Sequence, residues 1–349
     1  MSPAASDFRR LERANRRRTA FLLGIFALLL AALGLSLDCL VGNVRFEDGT
    51  ILGFPLLTVV ALVIAMVQAL VAYYGGAGLV LAAAHARPLS ADSPKHRMAL
   101  DVAREISIAA RVPTPPLYLA DDPAPNAFAV GRDPNHAAIC VTQGLLDGMD
   151  REQLQGVIGH EMAHIRDYDV RTMTIVAVTV GAIALLVDFL NRWIWFGGLS
   201  SNERKNEERG GGGGGLAALA VVILGLLAPL VSQLIAMAVS REREYLADAA
   251  SVEFTRNPRG LLRALEQIAA TRSPLVHASR ATVHMFIVNP VAETDASDDS
   301  EGMFSALFSS HPPLARRIAR LRAMLDKGEQ ATVNSPSGEV ESDTSPLRP

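Results

Sequence analysis

The stretch that decides the fold is VIGHEMAHI at positions 157–165, which contains the pattern His-Glu-x-x-His. Residues four apart lie on the same face of an α-helix, so His160 and His164 can both reach one metal ion. Glu161 is rotated by about 100° around the helix axis, which sets its carboxylate beside that ion. The stretch therefore predicts a helix that holds a metal ion next to a carboxylate.

The flanking residues predict that this pattern lies on a helix. Asp150 followed three positions later by Gln153 is a capping box, a common helix start. Apolar residues then recur at helical spacing from Leu154 to Ile165. On a helix, the pattern is the signature of zinc proteases. A tetrahedral zinc ion bound by two histidines needs a third protein ligand, and its fourth position is left for water or substrate.

The composition predicts an integral membrane protein. Half of the 349 residues are apolar and the mean hydropathy is +0.23. Stretches long and apolar enough to enter a bilayer lie at 19–37, 49–84, 172–196 and 216–240. The second stretch is long enough for one span and a continuing helix after Gly75-Gly76. The first lacks a small-residue cleavage site, so we predict that it is a retained anchor.

Charges near the first stretch predict the orientation. It is preceded by Arg9, Arg10, Arg13, Arg16, Arg17 and Arg18. Basic residues beside a span stay in the cytoplasm, although a merely solvated charge run is the alternative. Two crossings then return the chain to the cytoplasm before His85, which predicts a multi-pass protein with its catalytic domain and both termini on that side. Thr172 follows His164 by about 12 Å of helix, which predicts a metal near the membrane surface.

The third ligand is predicted where the fourth apolar stretch ends. There, Glu244 and Asp248 share one helix face. We predict that Glu244 binds the metal and that Asp248 orients a ligand histidine through its other ring nitrogen. From spacing alone, an exposed helix with arginine–glutamate pairs is the alternative. A hairpin of the last two membrane helices would bring His164 and Glu244 together, which favours the ligand.

Taken together, these motifs resemble the HtpX group of membrane-embedded zinc metalloproteases, relatives of the CAAX prenyl proteases. The resemblance extends to about Leu325 and rests on the His-Glu-x-x-His helix, Glu244-x-x-x-Asp248, Pro125-Asn126-Ala127-Phe128-Ala129, Ser310-His311-Pro312-Pro313 and Arg316-Arg317-Ile318. It implies that His160, His164 and Glu244 bind one zinc ion per chain and that Glu161 is the general base. It also implies quality control of unfolded membrane proteins in a bacterial inner membrane, overlapping with the ATP-dependent protease FtsH.

Two further residues, Asn126 and His311, are predicted near the substrate. Residues 126–130 alternate like a strand, and an exposed strand edge can bind an extended peptide through its backbone. His311 precedes two prolines, which fix an extended backbone and suit a donor to an oxyanion. Turn residues without a function are the alternatives. The resemblance places the corresponding residues near the substrate.

The predicted fold is an α+β membrane protein, with four transmembrane or membrane-inserted helices fused to a zincin-like catalytic domain of the gluzincin type. Its predicted segments are a basic N-terminus (1–18), two transmembrane helices (19–84), a first catalytic part (85–170), a membrane hairpin (171–240) with a glycine-rich loop (200–215), a second catalytic part (241–326) and a disordered tail (327–349). Helices are predicted at 92–110, 261–270 and 314–325. Strands are predicted near 117–119, 127–130, 138–141 and 281–288.

Other classes of function fit the sequence less well. The net charge of −3 predicts no nucleic-acid partner, and the glycine run lacks the lysine of a nucleotide-binding loop. If the third and fourth stretches both cross the membrane, the basic residues between them lie outside the cytoplasm, against the tendency of basic residues to stay inside. Full crossing and shallow insertion of these two helices are therefore both open. A catalytically silent membrane receptor or adaptor that binds unfolded segments is the competing function.

Overall fold

The computed structural model describes residues 3–41, 43–47, 50–193, 241–271 and 314–333. The helices within them are α1 (Pro3–Val41), α2 (Leu56–Tyr74), α3 (Gly76–Ala83), α4 (Pro94–Ala110), α5 (Gln143–Gly148), α6 (Arg151–Arg166), α7 (Asp169–Trp193), α8 (Arg241–Thr255), α9 (Pro258–Ala270) and α10 (Leu314–Val333). The strands are β1 (Val44–Glu47), β2 (Thr50–Gly53), β3 (Arg87–Pro88), β4 (Leu117–Ala120), β5 (Ala127–Gly131) and β6 (Ala137–Thr142). The predicted loop at 200–215, helix at 216–240, strand at 281–288, residue His311 and tail beyond 333 lie outside the described residues.

Two described helices are long and apolar enough to cross a membrane. They are Thr19–Cys39 within α1 and Leu56–Tyr74, which is α2. Many large apolar side chains of α2 are exposed, including Ile64 and Met66 at 55% and 59%. Such exposure suits a helix that faces lipid instead of water. Of the four predicted membrane helices, the described residues therefore support two.

The third predicted membrane stretch is helical, but its first half packs inside the protein. Helix α7 contacts α1, α2 and α3. Its side chains Val176 and Ala177 are buried, as is Met173, which packs against the sheet. The helix continues directly from the turn that ends α6, as the spacing of the two elements predicted. Helix α7 therefore links the metal-binding helix to the membrane helices.

The second membrane helix begins later than the uncharged run predicts. Strands β1 and β2 form an antiparallel hairpin over residues that the sequence analysis gave in part to the span. The buried carboxylate of Asp38, at the end of α1, accepts hydrogen bonds from the amides of Leu57 and Thr58 at 2.9 and 2.8 Å. A carboxylate that satisfies the first amides of a helix fixes its start. Asp38 therefore sets the beginning of α2 at Leu56.

A four-stranded sheet lies at the centre of the catalytic domain. Its strand order is β3-β4-β6-β5, with β4 and β6 parallel and the other pairs antiparallel. Side chains alternate between the faces. Phe128 and Cys140 pack towards α3 and α7, whereas Ala129 and Ile139 pack into the larger core that contains α4 and α6. Helices thus cover both faces, so residues 127–130 form a continuous buried apolar run and do not alternate between polar and apolar as the sequence analysis predicts.

Helix α10 differs from its predicted extent. The sequence predicted a helix at 314–325 and a disordered tail from 327, whereas the helix continues to Val333. Buried Leu321 joins the core of the catalytic domain, and the partly buried Leu314, Ile318 and Leu325 pack against that core. The apolar face of α10 therefore reaches Leu325, where the predicted helix ends. The residues from 326 to 333 extend the helix beyond it.

Candidate metal centre and active site

The metal-binding motif lies on the enclosed part of helix α6. Oδ1 of Asp150 accepts from the amide of Gln153 at 2.9 Å, and Oε1 of Gln153 accepts from the amide of Asp150 at 3.0 Å. This reciprocal pair is the capping box that the sequence predicts. From Gly156 to Ile165 every residue of α6 is buried. His160 and His164 therefore lie inside the domain rather than on its surface.

Two glycines on α6 let the neighbouring helices approach. A Cβ atom on Gly156 would lie 2.5 Å from the backbone nitrogen of Leu261 in α9. A Cβ atom on Gly159 would lie 2.8 Å from Oγ of Ser251 in α8. Ser251 in turn donates to the carbonyl oxygen of Gly156 at 2.7 Å. Since α8 also carries Glu244, this close packing is what brings a third ligand within reach of the histidines.

Three candidate ligands meet at one point. The Nε2 atoms of His160 and His164 lie 3.2 Å apart. Glu244 straddles them, with Oε2 at 3.6 Å from Nε2 of His160 and Oε1 at 3.5 Å from Nε2 of His164. With one ligand atom taken from each residue, the three atoms lie within 4.8 Å of one another. The structure therefore brings together the two histidines and the glutamate from a different helix.

These separations fit a tetrahedral metal ion. Two ligand atoms bonded to zinc at about 2.0 to 2.1 Å lie about 3.3 Å apart in a tetrahedral arrangement. The two Nε2 atoms, 3.2 Å apart, are close to that value, and each lies 3.5 or 3.6 Å from a different oxygen of Glu244, while a set with a single carboxylate oxygen lies within 4.8 Å. Two imidazoles and one carboxylate also form a common donor set of catalytic metal sites. The residues present thus fit a divalent cation.

Asp248 and Arg317 contact the Nδ1 side of the His160 imidazole. Nδ1 of His160 lies 2.9 Å from Oδ1 of Asp248. Because an ionised carboxylate can only accept, the imidazole donates through Nδ1, which leaves the lone pair of Nε2 for a metal. Arg317 reaches in from α10 and donates to both oxygens of Asp248, at 2.9 and 2.6 Å. Its side chain is 0% exposed, so it brings a fully enclosed positive charge to the site.

Asp169 holds His164 in a similar way. Its Oδ2 lies 3.3 Å from Nδ1 of His164. Its Oδ1 accepts from Nη1 of Arg243 at 3.1 Å and from Nδ2 of Asn15 at 2.8 Å. Arg243 adjoins Glu244 on α8, and Asn15 belongs to α1. The carboxylate behind His164 is therefore fixed by two other parts of the chain.

The carboxylates and imidazoles perturb one another strongly. Burial acts to raise the pKa of Asp248, but Arg317 and the hydrogen bond from His160 prevail and lower it to about 2. Burial acts to lower the pKa of His164, but Asp169 and Glu244 prevail and raise it to about 9. The pKa of His160 is raised as well, against burial and Arg317, by Asp248 and Glu244. The surrounding carboxylates thus favour positive charge at this site, which a divalent cation can supply.

Glu161 is also inside the site. Its side chain is buried, with 3% of its surface exposed. Its negative charge is close enough to raise the pKa values of both His164 and Arg317. A buried carboxylate beside two metal-binding imidazoles can exchange protons with water or substrate.

Asn126 occupies the start of the edge strand β5. Its Oδ1 accepts from the amide of Ala127 at 3.0 Å, and its carbonyl oxygen accepts from the amide of Thr142 at 3.0 Å. Asn126 directly precedes β5, which packs against the metal-binding helix α6. Asn126 and all of β5 are buried, so the strand edge that the sequence predicts to be exposed is covered in this structure. His311, the other predicted substrate residue, lies outside the described residues.

Several residues of the site have no role in the sequence analysis. Asp169, Arg243 and Asn15 support His164, and Arg317 supports Asp248. The sequence could have indicated that Arg317 is buried, since this residue falls within the apolar stripe of α10 between Leu314 and Leu321. A charged residue in such a stripe is buried and needs a partner. Asn15 lies within the run of arginines at the N-terminus, where no pattern in the sequence indicates a buried contact.

Comparison with known proteins identifies the relatives of the chain. The sequence profile described as "Peptidase family M48" matches residues 94–325. A "Protease HtpX homolog" of Lactobacillus helveticus is 37% identical over 89% of this chain and 97% of its own. Proteins of the same name from Levilactobacillus brevis and Caldanaerobacter subterraneus subsp. tengcongensis are each 39% identical, over 89% and 90% of this chain and 97% of their own. No solved structure matches the chain significantly.

Proposed function

We propose that this chain, which belongs to peptidase family M48 and within it to the HtpX group, is a zinc endopeptidase that cuts misfolded membrane proteins on the cytoplasmic side of a bacterial inner membrane. Family membership makes it a membrane-associated, metal-dependent protease. The identity of the metal, the side of the membrane and the substrates are the additional claims.

The observation that carries the proposal is the meeting of His160, His164 and Glu244. The two Nε2 atoms lie 3.2 Å apart, an oxygen of Glu244 lies 3.5 to 3.6 Å from each of them, and a carboxylate backs each imidazole. Catalytic zinc sites use three protein ligands of this kind, and carboxylates behind the histidines raise their basicity and fix their tautomers. These residues would hold one zinc ion per chain.

The chemistry divides between the metal and Glu161. A zinc ion held by these residues would polarise a peptide carbonyl and lower the pKa of water to about 7. The Glu161 carboxylate takes a proton from a water molecule, the hydroxide adds to the peptide carbonyl carbon, and Glu161 delivers the proton to the amine that leaves as the C–N bond breaks. Asp248 and Asp169 keep Nδ1 of each histidine protonated, so that Nε2 stays a metal ligand.

The outer edge of β5 is the proposed substrate-binding strand. In an antiparallel pair, alternate residues turn both backbone groups towards the partner. Because the carbonyl of Asn126 accepts from β6, alternation turns the backbone of Ala127, Ala129 and Gly131 to the outer edge. An extended peptide can add to such an edge through backbone hydrogen bonds.

The backbone amides at both ends of this edge already donate hydrogen bonds within the protein. Oδ1 of Asn126 accepts from the amide of Ala127 at 3.0 Å, and Oγ1 of Thr174 in α7 accepts from the amide of Gly131 at 2.9 Å. A peptide would therefore pair with the middle of the strand, around Ala129. We propose Asn126 as a substrate contact at one end. We propose His311, three residues before α10 in sequence, as a donor to the oxyanion, because α10 already reaches the site through Arg317.

The position of α1 supports a cytoplasmic active site. Asn15 and Thr19, at the basic end of α1, form hydrogen bonds with Asp169 and Thr172 beside the metal centre. The arginine-rich end of a membrane helix stays in the cytoplasm. The site then lies at the cytoplasmic surface of the bilayer, where loops of damaged membrane proteins are exposed. The resemblance to HtpX proteases supports these substrates and an overlap with those of FtsH.

The substitution Glu161→Gln tests the mechanism. It keeps the size of the side chain and removes the proton acceptor, so cleavage falls by at least about a hundredfold while zinc content stays unchanged. The measurement is digestion of a detergent-solubilised membrane protein by the purified full chain, with zinc content determined on the same sample.

Glu152→Gln is the matched control. Glu152 lies on the first turn of the same helix but is exposed, so this variant keeps normal cleavage. Full cleavage by the Glu161→Gln protein in a preparation free of other proteases contradicts the mechanism. In sealed inverted vesicles, the same enzyme cuts a substrate tagged in a cytoplasmic loop; cleavage confined to periplasmic loops contradicts the orientation.

A further inference from the structure

The first membrane helix reaches the metal centre directly. Asn15 lies four residues before the apolar part of α1, Thr19–Cys39, and is 3% exposed. Its Nδ2 donates to Oδ1 of Asp169 at 2.8 Å and to the carbonyl oxygen of Asp167 at 3.1 Å. Both hydrogens of the amide are therefore engaged by the short connection between α6 and α7.

That connection is under conformational strain. Tyr168, between the two acceptors of Asn15, has a φ of 62°, in the left-handed region. A residue other than glycine in this region costs about 1 to 3 kcal/mol and persists only when its surroundings hold it. Asn15 binds on either side of Tyr168 and thus holds the turn closed. The same turn delivers Asp169 to His164.

Asp169 is the point at which this support reaches a metal ligand. Its Oδ2 faces Nδ1 of His164 at 3.3 Å, while Oδ1 binds Asn15 and Arg243. A carboxylate with one oxygen fixed by two donors has little freedom to rotate away from the imidazole. The direction of Nε2 of His164 therefore depends on groups supplied by α1 and α8.

We propose that Asn15 is a positioning residue of the metal centre, which holds the turn between α6 and α7 and the Asp169 carboxylate so that His164 faces the metal. Docking of the first membrane helix then completes the site, and a disturbance of α1 loosens a metal ligand. This inference rests on the proposed metal site.

A neighbouring hydrogen bond separates this role from simple helix docking. One turn along α1, Thr19 and Thr172 join the same two helices through their hydroxyl groups at 3.1 Å. Both residues are buried, like Asn15 and Asp169. Thr19→Val removes a buried hydrogen bond between α1 and α7 without touching Asp169. It is therefore a matched control for Asn15→Leu, which removes both donors and keeps the branched shape of the side chain.

Zinc affinity is the primary measurement. The full chain is purified in detergent, and a competing chelator gives the affinity for Zn²⁺ of the wild type and of the Asn15→Leu, Thr19→Val, Asp169→Asn and Asn15→Leu/Asp169→Asn variants. Loss of a group that orients a ligand weakens metal binding by about 10- to 100-fold, and we expect about tenfold for Asn15→Leu. We expect less than about twofold for Thr19→Val. Because Asn15 acts through Asp169, the double variant binds no more weakly than Asp169→Asn alone.

Cobalt provides a second readout, which does not depend on stability. The visible absorption of Co²⁺ at the site reports ligand geometry, and we expect it to change in Asn15→Leu but not in Thr19→Val. If Asn15→Leu does not fold, Asn15→Ser gives the same comparison with a smaller change. Equal zinc affinities in the Asn15 and Thr19 variants, or additive losses in the double variant, overturn the proposal. Failure of the wild type to bind zinc instead overturns the proposed function.

Discussion

The two histidines of the metal centre are supported by different halves of the molecule. Behind His160 lie Asp248 and Arg317, from α8 and α10 of the second catalytic part. Behind His164 lies Asp169, from the helix that leads to the membrane, held in part by α1. One imidazole is thus oriented by α8 and α10 of the catalytic domain, and the other by α7 and α1 together with Arg243 of α8. The site forms only where the two halves meet.

The two supports also differ in how charge is balanced. Asp248 is held by a single arginine through two hydrogen bonds, and that arginine also lies 3.8 Å from Glu244. Asp169 is held by one arginine and one neutral amide. Removing the arginine therefore leaves more uncompensated charge on the side of His160. Substitutions on the two sides should therefore differ in their effects on stability and on zinc affinity.

Arg317→Leu has the largest expected effect on stability. It leaves the buried carboxylates of Asp248 and Glu244 without their arginine, and loss of one partner from a buried ion pair costs about 3 to 5 kcal/mol. Thermal unfolding of the purified metal-free protein measures this cost. Arg322→Leu on the same helix is the control, because Arg322 is 63% exposed where it pairs with Glu266. Equal unfolding temperatures for the two variants contradict the enclosed role of Arg317.

Substitutions of the two supporting carboxylates have the next largest effect. Asp248→Asn and Asp169→Asn each weaken zinc binding by about 10- to 100-fold, because an amide orients and polarises an imidazole less than a carboxylate does. We expect the larger loss for Asp248→Asn, whose contact with the imidazole is 2.9 Å against 3.3 Å for Asp169. Chelator competition measures both affinities.

Asp167→Asn is the control for this pair. Asp167 is a partly buried carboxylate in the turn after α6, and its side chain pairs with Arg166. Its loss leaves both imidazoles supported, so we expect less than about a threefold change in zinc affinity. A loss as large as that of Asp169→Asn would mean that any charge in this turn matters and that the contact with His164 does not.

The pH dependence of metal binding has the smallest effect per step, at about tenfold for each pH unit. Burial opposes a charged His164, but Asp169 and Glu244 raise its pKa to about 9 from the ordinary 6.5. Protonation of His164 therefore stabilises the metal-free fold fully below pH 6.5, and this contribution is lost as the pH rises through 9. A metal must displace that proton, so zinc affinity rises by about tenfold per pH unit between pH 6.5 and 9 and then levels off.

Asp169→Asn sharpens this prediction. Without the carboxylate the pKa of His164 falls, and the rise in zinc affinity moves to lower pH. Titrations of both proteins between pH 6 and 9.5 make the comparison. A zinc affinity of the native protein that does not change with pH over this range would contradict the raised pKa.

The meeting of the three candidate ligands could be predicted from the sequence because it is local or topological. His160 and His164 are one helical turn apart, and the predicted hairpin of the last two membrane helices led to the expectation that Glu244 lies near them. The supports could not be predicted in the same way. Asp169 belongs to a turn whose shape depends on Tyr168 adopting a positive φ. Asn15 lies far away in sequence, where only the packing of α1 reveals its partner.

The secondary structure likewise contains strands that the sequence predicts and strands that it does not. Strands β4, β5 and β6 were predicted to within two residues because each is a short apolar run between polar residues, proline or glycine. The hairpin of β1 and β2 was missed, although Asp48-Gly49 is a typical hairpin-turn sequence between apolar residues. The uncharged run that begins at Gly49 was interpreted as membrane helix instead. Apolar length alone thus does not separate a short strand from the span that follows it.

The measurement that tests the account most directly is the zinc content of the purified chain with and without Glu244. If two histidines of α6 and one glutamate of α8 hold a single cation, the wild type and Glu161→Gln proteins contain one zinc ion per chain. Glu244→Ala then contains less than about a tenth of that amount, because two neutral imidazoles alone bind zinc weakly. A Glu244→Ala protein that keeps one zinc ion per chain contradicts the account.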